Sequence, residues 1–181
     1  MSKKIIVLNG SPRANGNTSA LVREFTRGAE ENGHSVQTFL LHDMDIKGCA
    51  GCWGGGQEPH SPCAFKDDME KIYPPYIEAD IVVFASPLYY WSVSGQLKTA
   101  LDRLFAVAEC DSGYRNPQKA GVLLMAAEGN GFEESVYWYE RLMGHIRWAN
   151  LGKVLVGGVH QPGDAEGKPE LMEAYELGKS L

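Results

Sequence analysis

The sequence predicts an α/β fold, a doubly wound five-stranded parallel sheet with helices on both faces, formed by residues 1–181 as one domain. Three observations carry the prediction. Short runs rich in Val, Ile and Leu recur at regular intervals, and nearly continuous apolar runs are what strands covered on both faces require. The segments between them place apolar residues three and four apart, the spacing of an amphipathic helix. The two patterns alternate along the chain, as helical crossovers between parallel strands demand. A chain of 181 residues buries roughly 70% of its unfolded surface in one domain and needs no staple.

The first strand is read in "KIIVLNG", and Leu21, Val22, Phe25 and Ala29 form the stripe of the helix after it. Gly33 stands where a left-handed cap ends that helix. "HSVQTFLLH" supplies the second strand, and Asp67 with Glu70 resembles a capping box opening a helix through Ile72. "ADIVVFASP" is the third strand, followed by a helix striped with Leu97, Leu101, Leu104 and Phe105 and capped by Ser92 or Ser94. "AGVLLMAAEG" from Ala120 is the fourth, with a helix on Val136, Tyr139, Leu142, Met143 and Ile146. "GKVLVGGVH" from Gly152 is the fifth. Ligands of such sheets bind beyond the carboxyl ends of the strands at the topological switch, which directs attention to the loops after strands one, three and four.

A formal charge of -6 provides no basic stripe for a nucleic-acid backbone. No apolar run approaches the ~20 residues of a membrane span, and Met1 to Lys4 leads into a strand instead of a signal peptide. The expected setting is cytoplasmic, with a small-molecule partner. Four cysteines in a chain with an ample core read as free thiols, ligands or former ligands.

The first loop opens a helix, whose amides and dipole favour an anion. It is neither a Walker loop, since five residues separate Gly10 from Gly16 and Asn17 replaces the lysine, nor a GxGxxG turn. A lone phosphate monoester suits it better. Ser11, Asn17, Thr18 and Ser19 offer neutral donors and Arg13 a charged one. After the third strand, Tyr89, Tyr90 and Trp91 follow one another. They cannot all point inward, so at least one faces the crevice. A planar ligand bearing a phosphate accounts for both loops. His160 is read as a hydrogen-bonded structural residue, and no GxSxG marks a serine nucleophile.

In "GSPRANGNTSAL", "GCAGCWGGGQEPHSPCAFKDDM" and "SPLYYWSVSGQLKTALDR", the chain resembles the flavodoxin-like NAD(P)H-dependent FMN reductases, near their iron-sulfur flavoprotein branch. The likeness in element order spans nearly the whole chain. It implies FMN as cofactor, with its phosphate at Ser11, Arg13, Asn17, Thr18 and Ser19. It places the isoalloxazine against Pro87, Leu88, Tyr89, Tyr90 and Trp91, near Ala127, Glu128 and Gly129. It further implies NAD(P)H as co-substrate and at least a homodimer. Hydride transfer through bound FMN requires no catalytic side chain, so none is assigned. The acceptor class is a quinone, nitro compound, free flavin or metal ion. Two other functions fit the same fold: a flavodoxin-like electron carrier docking to a protein partner, and a zinc- or thiol-based sensing module.

In the iron-sulfur branch a compact CxxCxxC precedes a fourth cysteine and an Asp-Asp-Met helix start. This chain keeps Cys49, Cys52, Cys63 and "DDM" but has Gly55 at the third cysteine position. Three thiolates leave one iron of a four-iron cluster without its usual ligand, so no cluster is expected. Cys49, Cys52, His60 and Cys63 are an alternative zinc donor set, and the CxxC pair an alternative redox couple. The reading adopted is a loop with free cysteines.

Overall fold

β1 (Lys4–Asn9) is buried along its whole length after Lys4, because it lies between two other strands. A computed structural model describes residues 1–56 and 58–181. In it the sheet order is β2-β1-β3-β4-β5, with β2 at Ser35–Leu40, β3 at Ile81–Pro87, β4 at Ala120–Ala126 and β5 at Ala149–Val156. Every pairing is parallel, with Ile5 opposite Ile81 and Ile81 opposite Ala120 in the central strands. β1 and β3 are neighbours whose chains leave in opposite directions along the sheet, so the switch point lies at their carboxyl ends.

Burial on both faces holds for β1, β3 and β4. β2 exposes Ser35, Gln37 and Thr38, and β5 exposes Ala149, Asn150 and Lys153. Each is an edge strand with one neighbour, so its outer face stays wet despite its apolar composition. β5 also begins three residues before the Gly152 expected from its composition. Gly152 has φ +138° and sits where the register with β4 shifts, between Gly121 and Leu123; a glycine inside a strand marks such a bulge.

α1 (Asn17–Glu31) buries Leu21, Val22, Phe25 and Ala29 as its periodicity requires. Gly33, at φ +82°, ends it as expected: its N–H donates to Glu30 O at 2.9 Å and that of His34 to Ala29 O at 3.0 Å, the paired bonds of a Schellman cap. α1 packs on α6 (Pro169–Lys179) through glycines. A Cβ on Gly28 would lie 2.0 Å from Tyr175 O, and one on Gly178 2.1 Å from Phe25 O. Backbone meets backbone there, which only glycine permits.

The other face carries α2 (Tyr73–Glu78), α3 (Gly95–Arg103), α4 (Phe105–Ala108) and α5 (Glu133–Ile146). Asp67 does not open one continuous helix. Its carboxylate accepts from Met69 N, a 3-10 turn spans Asp68–Lys71, and α2 starts anew. Pro74 and Pro75 have no N–H to donate back to that turn. The stripe on Leu97, Leu101, Leu104 and Phe105 also divides. The helix breaks at Leu104, and Phe105 turns outward, stacked against Tyr114 at 6.3 Å between ring centroids. The α5 stripe holds, with Tyr139 and Met143 buried and Val136, Leu142 and Ile146 packed against the core. Among the described residues, no helix is long and apolar enough to cross a membrane.

Candidate functional site

Four loops converge beyond the carboxyl ends of the strands on a cavity of about 290 Å³, near the lower bound of roughly 300 Å³ for ligand clefts. Ser11, Arg13, Gly16, Asn17 and Thr18 line one side, and Pro87, Leu88 and Tyr89 another. Ala126, Ala127 and Glu128 from the β4 loop and Val159 and His160 from the β5 loop complete it.

The first side is built by short-range polar bonds. Asn9 Oδ1 accepts from Ser11 N at 3.0 Å, Ser11 Oγ from Arg13 N at 3.2 Å, and Gly16 N donates to Arg13 O at 3.0 Å. The chain therefore curls before α1 starts. Ala20 N is the first helix amide to find a backbone acceptor, Gly16 O at 3.0 Å. Among the described residues the N–H groups of Asn17, Thr18 and Ser19 have none, and such orphan donors with the helix dipole attract an anion. Ser94, the cap of α3, clamps the loop from behind, accepting from Leu97 N at 3.3 Å and donating to Gly10 O at 2.8 Å.

The segment after β5 straps the same loop. Arg13 Nη1 donates to His160 O at 3.1 Å. Asn17 Nδ2 donates to Gln161 O at 3.0 Å while its Oδ1 accepts from Ala165 N at 3.2 Å. Asp164 fixes the strap, accepting from His160 N at 2.8 Å and Gln161 N at 2.7 Å, and these amides hold its carboxyl below the usual range. His160 lies past the end of β5 and reaches the cavity, its Nδ1 3.6 Å from Glu128 Oε2.

Of the residues expected at the flavin, nine line this cavity: Ser11, Arg13, Asn17, Thr18, Pro87, Leu88, Tyr89, Ala127 and Glu128. Four lie outside its lining. Ser19 works inside the loop, donating to Arg13 O at 3.1 Å and accepting from Asn9 Nδ2 at 3.1 Å. Gly129 follows the lining of the β4 loop, and Tyr90 and Trp91 are exposed at the turn beyond Tyr89. Gly16, Ala126, Val159 and His160 are lining residues that sequence reading did not assign. The β5 loop carries no motif that would have disclosed it.

The cysteine loop lies elsewhere. Cys49, Cys52 and Cys63 line a separate cavity of about 260 Å³ with Phe65, Phe105 and Glu109. His60 is not part of it and stands beside Glu58, Nδ1 to Oε1 3.4 Å. Among the described residues, no three His, Cys, Asp or Glu side chains converge on a point that could hold a metal ion, so the proposed zinc set is not gathered. A Cβ on Gly55 would lie 1.8 Å from Glu109 Oε2. The place where a ligand at position 55 would begin is filled by that carboxylate. With glycine at position 55, Cys49, Cys52 and Cys63 supply three thiolates and leave a four-iron cluster one ligand short.

The model of the NADPH-dependent FMN reductase family matches residues 3–161. The chain belongs to this family. Membership makes it an NAD(P)H-dependent FMN oxidoreductase in class. An iron-sulfur flavoprotein of Methanocaldococcus jannaschii is 34% identical over 73% of this chain and 66% of its own length. One from Archaeoglobus fulgidus is 30% identical over 98% of this chain and 78% of its own. This chain thus spans about two thirds to three quarters of these relatives. An NAD(P)H:quinone oxidoreductase from Methanothermobacter marburgensis shares the fold of this FMN reductase family member, with a TM-score of 0.75 at 20% identity over 99% and 98% of the two chains.

The residues present fit FMN on their own geometry. Orphan helix amides and Arg13 suit a phosphate, and the Pro87 to Tyr89 edge supplies a flat, partly apolar wall.

Proposed function

We infer that this chain binds FMN in the cavity at the switch point, takes reducing equivalents from NAD(P)H and passes them to a small acceptor such as a quinone, nitro compound, free flavin or metal ion. The observation that carries the reading is the set of unsatisfied amides at Asn17, Thr18 and Ser19 with Arg13 beside them, facing the Tyr89 wall across one cavity.

FMN, when bound, would supply the hydride chemistry. The protein supplies position. The amides and Arg13 would hold the FMN phosphate, and Pro87, Leu88 and Tyr89 would border its ring. Hydride transfer would require a nicotinamide to approach within roughly 3–3.5 Å of the reacting nitrogen. No proton transfer by a side chain is required. The Cys49, Cys52 and Cys63 loop takes no part, and we assign it no cluster.

Four free cysteines favour a reducing compartment, hence the cytoplasm. The exposed Phe105, Tyr114 and Tyr137 rings favour a homodimer that covers them. Mixing the FMN-loaded protein anaerobically with NADPH or NADH tests the activity: the flavin absorbance bleaches without any added reductase. A flavin that binds but stays oxidised makes the chain an electron carrier. A protein that takes up no flavin leaves only the sensing reading.

A further inference from the structure

Tyr89, Tyr90, Trp91 and Ser92 close a tight hairpin paired in both directions, Tyr89 N to Ser92 O at 2.9 Å and Ser92 N to Tyr89 O at 3.1 Å. Both central residues are left-handed, Tyr90 at φ +47° and Trp91 at φ +60°. A two-residue hairpin turn with two positive φ angles selects Asn-Gly or Gly-Gly. Aromatic side chains there are strained, and strain of this kind persists only where the surroundings over-determine it.

The surroundings do so. Ser135 Oγ on α5 donates to Trp91 O at 2.9 Å, and Leu88 N donates to Ala126 O at 2.9 Å. The core gains nothing in return: Tyr90 is 94% and Trp91 61% exposed, their ring centroids 6.5 Å apart. Two strained, solvent-facing rings are thus fixed one and two residues beyond Tyr89, which lines the cavity.

The flank of the turn is acidic. A methyl group on Gly131 would lie 3.6 Å from Trp91 Nε1 and 3.8 Å from Glu133 Oε2. Glu134 follows on the first turn of α5, and Glu128 stands at the cavity with His160 as its neighbour. Arg13, the cation of the cavity, belongs to the phosphate end.

We propose that Tyr90 and Trp91 form the platform on which a planar, uncharged or cationic electron acceptor stacks, so that they determine specificity in the second half of the reaction. The proposal rests on the flavin assignment above. Aromatic faces recognise a flat ring and, if it is cationic, its charge. The acidic flank disfavours anionic oxidants and the pyrophosphate of the dinucleotide alike. A quinone on the platform would take two electrons and two protons and leave as the hydroquinone; NAD(P)H would supply the hydride, becoming NAD(P)+, and solvent the remaining proton.

Tyr90→Gly and Trp91→Gly remove a ring and its strain together. With FMN-loaded protein, each variant is expected to raise the KM for a methyl-naphthoquinone roughly two- to ten-fold. The rate of flavin reduction by NAD(P)H should stay within about two-fold, and Tm should not fall because glycine suits the turn. Tyr90→Phe should restore the parental KM, and a naphthoquinone sulfonate of the same ring size should be the poorer substrate of the parent. Unchanged KM in both glycine variants, or preference for the sulfonate, overturns the platform. A second readout is independent of turnover: the hydroquinone should quench tryptophan fluorescence in the parent and not in Trp91→Gly. If NAD(P)H fails to bleach the flavin, the reductase reading falls, and this quench still decides whether the platform exists.

Discussion

Arg13 and Thr18 reach the cavity without the same prior commitments. Arg13 donates to a carbonyl of the strap, whereas the Thr18 side chain, buried in the wall, makes no hydrogen bond among the described residues. In the proposed binding mode both touch the phosphate alone. Arg13→Ala combined with Thr18→Ala is expected to weaken FMN far more than riboflavin, since charge-assisted bonds to phosphate contribute roughly 1.5–3 kcal/mol each. Calorimetric titration with the two flavins checks this, and equal losses would remove the phosphate from this end. That these residues line one cavity was legible from sequence because strand, loop and helix follow within a few residues. The role of Asn17 was not: its amide is tied to Gln161 and Ala165, and no local pattern reports a partner so distant along the chain.

Lys119 offers a test of pH. Its Nζ donates to Ile77 O at 3.0 Å and Ala79 O at 2.6 Å, and burial lowers its pKa to about 8. The unfolded lysine titrates near 10.4, so between these values the unfolded chain holds more protons and stability rises with pH. Urea midpoints measured across this window should climb more in the parent than in Lys119→Met. Parallel curves would show that the burial has no titrating consequence.

At the scale of elements, the long excursion between β2 and β3 is held to α3 by Arg103. Its guanidinium contacts Asp67 at 2.7 Å and the carbonyls of Lys47 at 2.8 Å and Phe65 at 3.4 Å, with side chains only 1% and 2% exposed for Arg103 and Asp67. Burial opposes both charges, but their contact and the amides of Lys47 and Met69 outweigh it, holding Asp67 below the usual carboxylate range. That stabilisation is complete above about pH 4 and is lost as the pH falls further. Asp67→Asn should cost roughly 3–5 kcal/mol and open the cysteine loop to a protease; an unchanged urea midpoint would contradict this. Gly28→Ala gives a second test. Helix propensity favours Ala by about 1 kcal/mol, yet the added carbon meets a backbone oxygen at 2.0 Å. A lower Tm is expected, and a higher one would mean the helices separate freely. Sequence periodicity found the core faces of α1 and α5, where spacing and burial agree. It missed the breaks at Leu104 and before Pro74 because an apolar residue marks a face without fixing which turn of helix carries it.

Across the whole molecule, the parallel α/β sheet followed from alternation, which also directed attention to the carboxyl ends of the strands; the strand order itself came only from the structure. What remained hidden was the contribution of the β5 loop, which composition cannot announce. The cysteine loop tests the boundary with the iron-sulfur relatives. Anaerobically purified protein should contain no stoichiometric iron or sulfide, because Gly55 faces the Glu109 carboxylate and three thiolates leave a corner of the cluster without its ligand. Stoichiometric values of both would show that another group completes the set.

The strap over Asn17 joins residues some 144–148 positions apart, and α6, which follows it, packs against α1. During synthesis the amino-terminal half emerges first, so the phosphate loop waits bare while most of the chain is still being made. Only when the strap and α6 have left the ribosome can the strap close on the loop and α6 on α1. Binding of the proposed FMN is thereby expected late in the synthesis of the chain, and a product halted before residue 159 would carry the loop without the strap that orders it.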